Sequence, residues 1–124
     1  MQKPIETSNA PGAIGPYSQA IAVCQLIFVS GQLPIDPQTG QIPESAADQA
    51  RQSLTNIQAI LEAAGVDMSH VVRAGVFLTD MGDFQAVNEV YASFFKPPYP
   101  ARSAVEVKAL PRGAKVEIDA MAVK

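Results

Sequence analysis

The sequence predicts an α+β fold in which two amphipathic helices cover one face of a β-sheet. Three stretches carry that expectation. From Lys115 to Val123 the residues alternate, with Val116, Ile118, Ala120 and Ala122 on one side and Lys115, Glu117 and Asp119 on the other, the period of a half-buried strand. Ala50, Leu54, Ile57, Leu61 and Ala64 recur at spacings of four and three, which aligns one apolar face on a helix. Phe84, Val87, Tyr91 and Phe94 form a second stripe of the same kind. The apolar side of the strand suits both helices, which leaves the sheet with a second face.

Taking the elements in order, Asn9 to Pro16 holds two glycines and two prolines, which is loop chemistry. Tyr17 leaves this loop either as a pocket wall with a polar tip or as an aromatic at the rim of the core. Gln19–Val23 and Leu26–Ser30 read as the strands of a hairpin joined at Cys24-Gln25, with Cys24 a free bystander thiol. Ser30-Gly31-Gln32 ends the second strand. A glycine there either lets another group approach the backbone or simply terminates the strand. Pro34 to Pro43 is a loop. Ser45 begins the first helix, with Asp48 as its box-like N-cap partner and Gly65 as a natural stop. No charged residue lies on the apolar face of that helix, so it reads as scaffold.

Val71–Thr79 reads as a strand with Val72, Ala74, Val76 and Leu78 on one face and Arg73, Gly75 and Phe77 on the other. His70 at its entry reads as a solvated turn residue. The second helix runs from Asp80 or Asp83 to Phe95 and carries Asn88 beside its stripe, as a polar site residue or an exposed filler. Pro97-Pro98 ends it. In the following stretch, Pro100 to Val107, alternation puts Arg102, Ala104 and Glu106 on one face and Ser103, Val105 and Val107 on the other. The planar fork of an arginine beside a small alanine suits a carboxylate. It equally suits an ordinary surface ion pair. A turn at Pro111-Arg112-Gly113 precedes the last strand. The second face of the sheet then bears Arg102, Glu117 and Asp119. With Phe77, Met121 and Val123 among these charges, it is better covered by other subunits than left in water.

Composition bounds the function. At 124 residues the chain reads as a single domain, 1–124, long enough to bury a core. Hydrophobic residues make up 48%, which argues against disorder. Nine basic against twelve acidic residues give a net charge of −3 and a pI near 5.0, unlike a nucleic-acid binder that works by broad phosphate attraction. One cysteine and one histidine allow neither an internal disulfide nor a soft-metal cluster within one chain, and no motif suggests another metal site. The N-terminal stretch carries Lys3 and Glu6 and no signal-peptide run, and no apolar run approaches the ~18 residues of a membrane span. The expectation is a cytoplasmic protein with neither nucleic acid nor membrane as a partner.

Several stretches together resemble the Rid family of reactive-intermediate deaminases, also called the YjgF/YER057c/UK114 family. They are A-I-G-P-Y-S at Ala13 to Ser18, V-S-G-Q at Val29 to Gln32, Q-A-R-Q-S-L-T-N at Gln49 to Asn56 and F-L-T-D-M at Phe77 to Met81. V-N-E-V-Y at Val87 to Tyr91, P-A-R-S-A-V-E-V at Pro100 to Val107 and V-E-I-D-A at Val116 to Ala120 complete the set. The resemblance runs from Ile5 to Val123 and is to the RidA branch, because an arginine occupies position 102. It implies a chorismate-mutase-like α+β fold with a mixed sheet backed by two helices. It implies a homotrimer whose sheets form a central barrel, with active sites between subunits. The implied reaction is hydrolysis of 2-enamine or 2-imino acids, such as 2-aminoacrylate, to 2-oxo acids and ammonia.

Residue by residue, the resemblance puts the carboxylate-binding arginine at Arg102 and the water-handling glutamate at Glu117. It puts the pocket tyrosine at Tyr17, the strand-end pair at Ser30 and Gly31, and a further pocket position at Asn88. One position departs: Ala104 stands where the family commonly has cysteine. Adding water to a C=N carbon and expelling ammonia needs no covalent nucleophile, so position 104 is expected to supply a backbone N–H and a small wall. Placement by Arg102 and proton handling by Glu117 suffice, without metal or organic cofactor. The rival class is a sensor or regulatory module that binds a small carboxylate in the same cleft. A sensor needs the clamp but not the water handler, so the presence of Glu117 favours the enzyme. Ribonuclease activity, also described in the family, sits poorly with the net acidity.

Overall fold

The computed structural model describes all residues from Met1 to Lys124. In chain order it contains β1 (Lys3–Ile5), β2 (Ala20–Val23), β3 (Leu26–Gln32), α1 (Ala46–Ala63), β4 (Val71–Leu78), α2 (Phe84–Ser93), β5 (Ala101–Glu106) and β6 (Val116–Val123). The strands form one sheet in the order β1-β2-β3-β6-β4-β5. The sheet is mixed, because β4 and β5 run parallel while every other pair is antiparallel. A parallel pair needs a crossover, and α2 supplies it. The architecture is the expected α+β, chorismate-mutase-like one, with both helices on one face.

The core lies between that face and the helices. Val116, Ile118, Ala120 and Ala122 of β6 turn into it and join Leu54, Ile57, Ile60 and Leu61 of α1 and Val87, Val90 and Tyr91 of α2. Burial of these apolar side chains is what fixes the helices on the sheet. Ser45 caps α1, its Oγ accepting from the Asp48 N–H at 3.1 Å. The far end closes at Gly65, whose φ of +84° favours glycine. There the Val66 N–H donates to the Leu61 carbonyl and the Gly65 N–H to the Glu62 carbonyl, both at 3.0 Å, a Schellman ending.

Four details differ from the sequence reading. The three-residue β1 was not anticipated; it pairs with β2. Val72 is 45% exposed rather than buried with Ala74, because an extra residue bulges β4 between Val71, opposite Ala122, and Arg73, opposite Met121. α2 begins at Phe84, after a short 3-10 turn that Asp80 caps through its contact with the Gly82 N–H at 2.8 Å. And α1 is more than an apolar scaffold. Its buried Gln49 donates to the Pro43 carbonyl and accepts from the Lys115 N–H, while buried Asn56 donates to the carbonyls of Leu33 and Ile35. These amides tie two loops to the helix. The hairpin is as expected, with Val23 opposite Leu26 and Cys24-Gln25 as the turn. No helix is long and apolar enough to cross a membrane.

Candidate active site

Arg102 stands on β5, the edge strand, level with Ala74 of β4. Ala74 is buried under the helices, so Arg102 projects to the helix-covered side, where α2 receives it. Its Nη1 donates to Asn88 Oδ1 at 2.7 Å. Its Cζ lies 4.8 Å from the ring centre of Tyr91 and 5.5 Å from that of Phe84. Arg102 therefore does not share the second face with Glu117 and Asp119, as the sequence reading had it. The alternation inside β5 is right, but the parallel register with β4 turns the Arg102 row toward the helices. Ala104 lies in the same row, level with Val76, and packs against the core.

Glu117 stands on β6 opposite Phe77, on the uncovered face, with Asp119 two residues on opposite Gly75. Beside it β3 carries an extra residue. Val29 pairs with Ala120 and Gln32 with Ile118, so Ser30 and Gly31 share the space opposite Asp119 in a bulge. A Cβ on Gly31 would stand 2.9 Å from Glu117 Cδ, so the glycine leaves the room that the carboxyl group occupies. Gly31 does not terminate the strand, which runs on to Gln32.

Ser30 ties this bulge to the loop before β2. Its Oγ donates to the Ser18 carbonyl at 2.6 Å and its N–H to the Gln19 carbonyl at 2.9 Å. The Gln19 amide, itself buried, accepts from the Thr7 N–H and donates to the Pro11 carbonyl, both at 2.8 Å, which fixes the loop. Tyr17 on that loop is 52% exposed and is not part of the core rim.

Burial pushes the Glu117 carboxyl above the usual carboxylate range, and the charge of Asp119 adds to it. Burial raises Asp119 as well, against the opposing pull of the Gly75 backbone and of Arg73. Around these acids the uncovered face is apolar: Phe28, Phe77, Val105 and Met121 line a depression of about 310 Å³ with Arg73 and Asp119. No group of three or more His, Cys, Asp or Glu side chains comes together in a way that would hold a metal ion.

One chain thus divides the candidate residues. Arg102, Asn88 and Ala104 belong to the helix-covered side at the β5 edge. Glu117, Gly31, Ser30 and Tyr17 belong to the β3–β6 side, with β4 between the two sets. Phe84 and Tyr91 were read from the sequence only as core stripe. Their spacing of four and three residues from Asn88 was the signal that all three share a face.

The family model described as Endoribonuclease L-PSP matches residues 7–124. The RutC family protein y4sK of Sinorhizobium fredii is 61% identical over 122 residues, covering 98% of this chain and 97% of that protein. The 2-iminobutanoate/2-iminopropanoate deaminase of Bos taurus is 52% identical over 125 residues, covering 100% of this chain and 91% of that protein. Among solved structures, E. coli TdcF with bound serine matches with a TM-score of 0.94 at 50% identity, covering 98% of each chain. With the fold, the motif residues and these likenesses in agreement, the chain belongs to the Rid (YjgF/YER057c/UK114) family.

Proposed function

We propose that this chain is a deaminase that hydrolyses reactive 2-enamine and 2-imino acids to 2-oxo acids and ammonia, in sites that neighbouring copies of a homotrimer build together. The observation that carries this reading is the division of the site. A tethered arginine with an open edge and a half-buried carboxyl group with a raised pKa lie on opposite sides of one sheet. A small substrate meets both when a second copy supplies the missing half. The apolar uncovered face, which carries Phe28 and Val105 exposed, suits such a partner. The name of the bovine relative agrees with the reaction.

In this reading Arg102 grips the substrate carboxylate with two parallel hydrogen bonds and sets the C=N carbon in place. Water attacks that carbon while Glu117 takes its proton. Glu117 returns that proton to the nitrogen to give the carbinolamine, then carries the hydroxyl proton to the same nitrogen as the C–N bond breaks, so ammonia leaves and the hydroxyl oxygen becomes the carbonyl of the 2-oxo acid. A carboxyl group held above its ordinary pKa is a stronger base toward that water than an ordinary one. Tyr17 and the Ser30–Gly31 backbone close the polar end, and Ala104 contributes a small wall.

The test is competition for a trapped imine. A separate enzyme generates 2-aminoacrylate in the presence of semicarbazide, and this protein is added. Less semicarbazone and more 2-oxo acid is the expected result; unchanged trapping contradicts it. A second reading has its own support, since TdcF is described with serine, an amino acid rather than an imine. If calorimetry shows a 2-oxo acid binding while no imino acid is hydrolysed faster, the protein is a small-carboxylate sensor.

A further inference from the structure

Phe84, Asn88 and Tyr91 occupy one stripe of α2. All three converge on a single side chain of another element. Arg102 donates from Nη1 to Asn88 Oδ1 at 2.7 Å, with its Cζ 4.8 Å from the Tyr91 ring centre and 5.5 Å from the Phe84 ring centre. Both distances lie within the range where a ring quadrupole attracts a guanidinium. No other hydrogen bond within the chain engages the Arg102 guanidinium, and no ion pair does, so its Nε and Nη2 stay open.

The stripe is itself immobilised. Tyr91 is 5% exposed and packs on Phe95 with ring centres 4.7 Å apart. Its hydroxyl has no hydrogen-bond partner, so what it offers Arg102 is the ring. Phe84 is only partly buried against the core.

The geometry points to Phe84, Asn88 and Tyr91 as positioning residues that hold the Arg102 guanidinium with its Nε–Nη2 edge presented to one planar carboxylate. The inference rests on Arg102 as the carboxylate clamp of the proposed deaminase, and goes beyond it by making α2 a determinant of affinity. An arginine free in solution would lose side-chain freedom on gripping a ligand. Here the rings and Asn88 have already removed much of that freedom, which lowers the cost of binding. Proton handling belongs to Glu117 on the other side of the sheet, so loss of a ring acts on affinity and much less on the turnover of bound substrate.

The experiment compares wild type, Phe84→Leu, Tyr91→Phe and Tyr91→Leu. It measures 2-oxobutanoate affinity by calorimetry, saturated turnover by imine trapping, and thermal unfolding. We expect Phe84→Leu to weaken binding about tenfold, with turnover within about twofold of wild type. Tyr91→Phe keeps the ring and retains wild-type affinity, while Tyr91→Leu, if folded, falls with Phe84→Leu. Wild-type affinity in Phe84→Leu overturns the inference. So does a loss in Tyr91→Phe as large as in Phe84→Leu, which would assign the effect to the hydroxyl. Affinity, turnover and melting temperature falling together in Phe84→Leu would mean plain structural damage and overturn it too. A wild type that binds without turnover ends the deaminase reading yet leaves the affinity comparison decisive. A wild type that does neither sinks both.

Discussion

The carboxyl group of Glu117 rests against the backbone of Gly31, where an added Cβ would stand 2.9 Å from Glu117 Cδ. The atoms that such a Cβ meets are the far end of a flexible side chain, not backbone. Gly31→Ala is therefore expected to fold, with its melting temperature little changed, and to swing the carboxyl group out of place. Misplacement on the scale of an ångström costs about a hundredfold in rate. Imine trapping beside thermal unfolding checks this; full turnover in Gly31→Ala would separate Glu117 from the chemistry.

The pH profile offers a second check. Burial and then Asp119 hold Glu117 above its ordinary value. A base acts when ionised, so kcat/KM should fall as pH drops through the raised value, with an acid limb above the ordinary glutamate pKa of ~4.3. Asp119→Asn removes the like charge and moves that limb to lower pH. Stability runs the other way. The folded state favours the neutral form of Glu117, so its contribution is greatest below the ordinary pKa and is lost as pH rises through the raised one. Glu117→Gln removes both the limb and that slope. Rate profiles and unfolding curves across pH measure each, and a limb that survives in Glu117→Gln assigns it to another group.

Ala104 lies in the Arg102 row, packed on the core rather than poised as a nucleophile. Ala104→Cys should leave turnover within about twofold of wild type, since the reaction forms no covalent intermediate. A gain of about a hundredfold in the trapping assay would show a thiol at work there.

Cys24 holds a φ of +54° in the β2–β3 turn, where a residue with a Cβ is strained. Left-handed geometry costs such a residue about 1–2 kcal/mol, and glycine returns part of that as unfolded-state freedom. Cys24→Gly is expected to be neutral or stabilising by up to ~1 kcal/mol, and Cys24→Val to be destabilising. Denaturant unfolding reads both. Cys24 is exposed and free, so its alkylation should leave turnover unchanged.

Much of the fold was legible because periodicity reports burial. The stripe Leu54, Ile57, Leu61 and the alternation Val116, Ile118, Ala120 each point at the core, and the structure puts them there. β1 was not legible, since three residues are too few to display a period of two. Val72 was misplaced because a one-residue bulge reverses every face before it and leaves no mark on composition. The site shows the same limit more sharply. Alternation separates Arg102 from Ser103, but which of the two faces the helices depends on the register with Ala74, a pairing across 28 positions of chain. Gln49 and Asn56 were overlooked because a polar residue on an otherwise apolar helix reads as solvent-facing. Their partners, the carbonyls of Pro43, Leu33 and Ile35, lie in loops whose paths a linear pattern does not give.

If Arg102 of one copy and Glu117 of another complete each site, as proposed, two variants disabled at different residues should rescue one another when mixed. Arg102→Ala lacks the clamp and Glu117→Gln lacks the base, so each alone should be nearly inactive in imine trapping. Refolded together from a denatured equimolar mixture, they should regain activity on the order of a quarter of wild type, because random assembly pairs an intact Arg102 with an intact Glu117 at that share of interfaces. A mixture that stays at the level of the separate variants, while refolded wild type recovers its activity, would contradict the shared site.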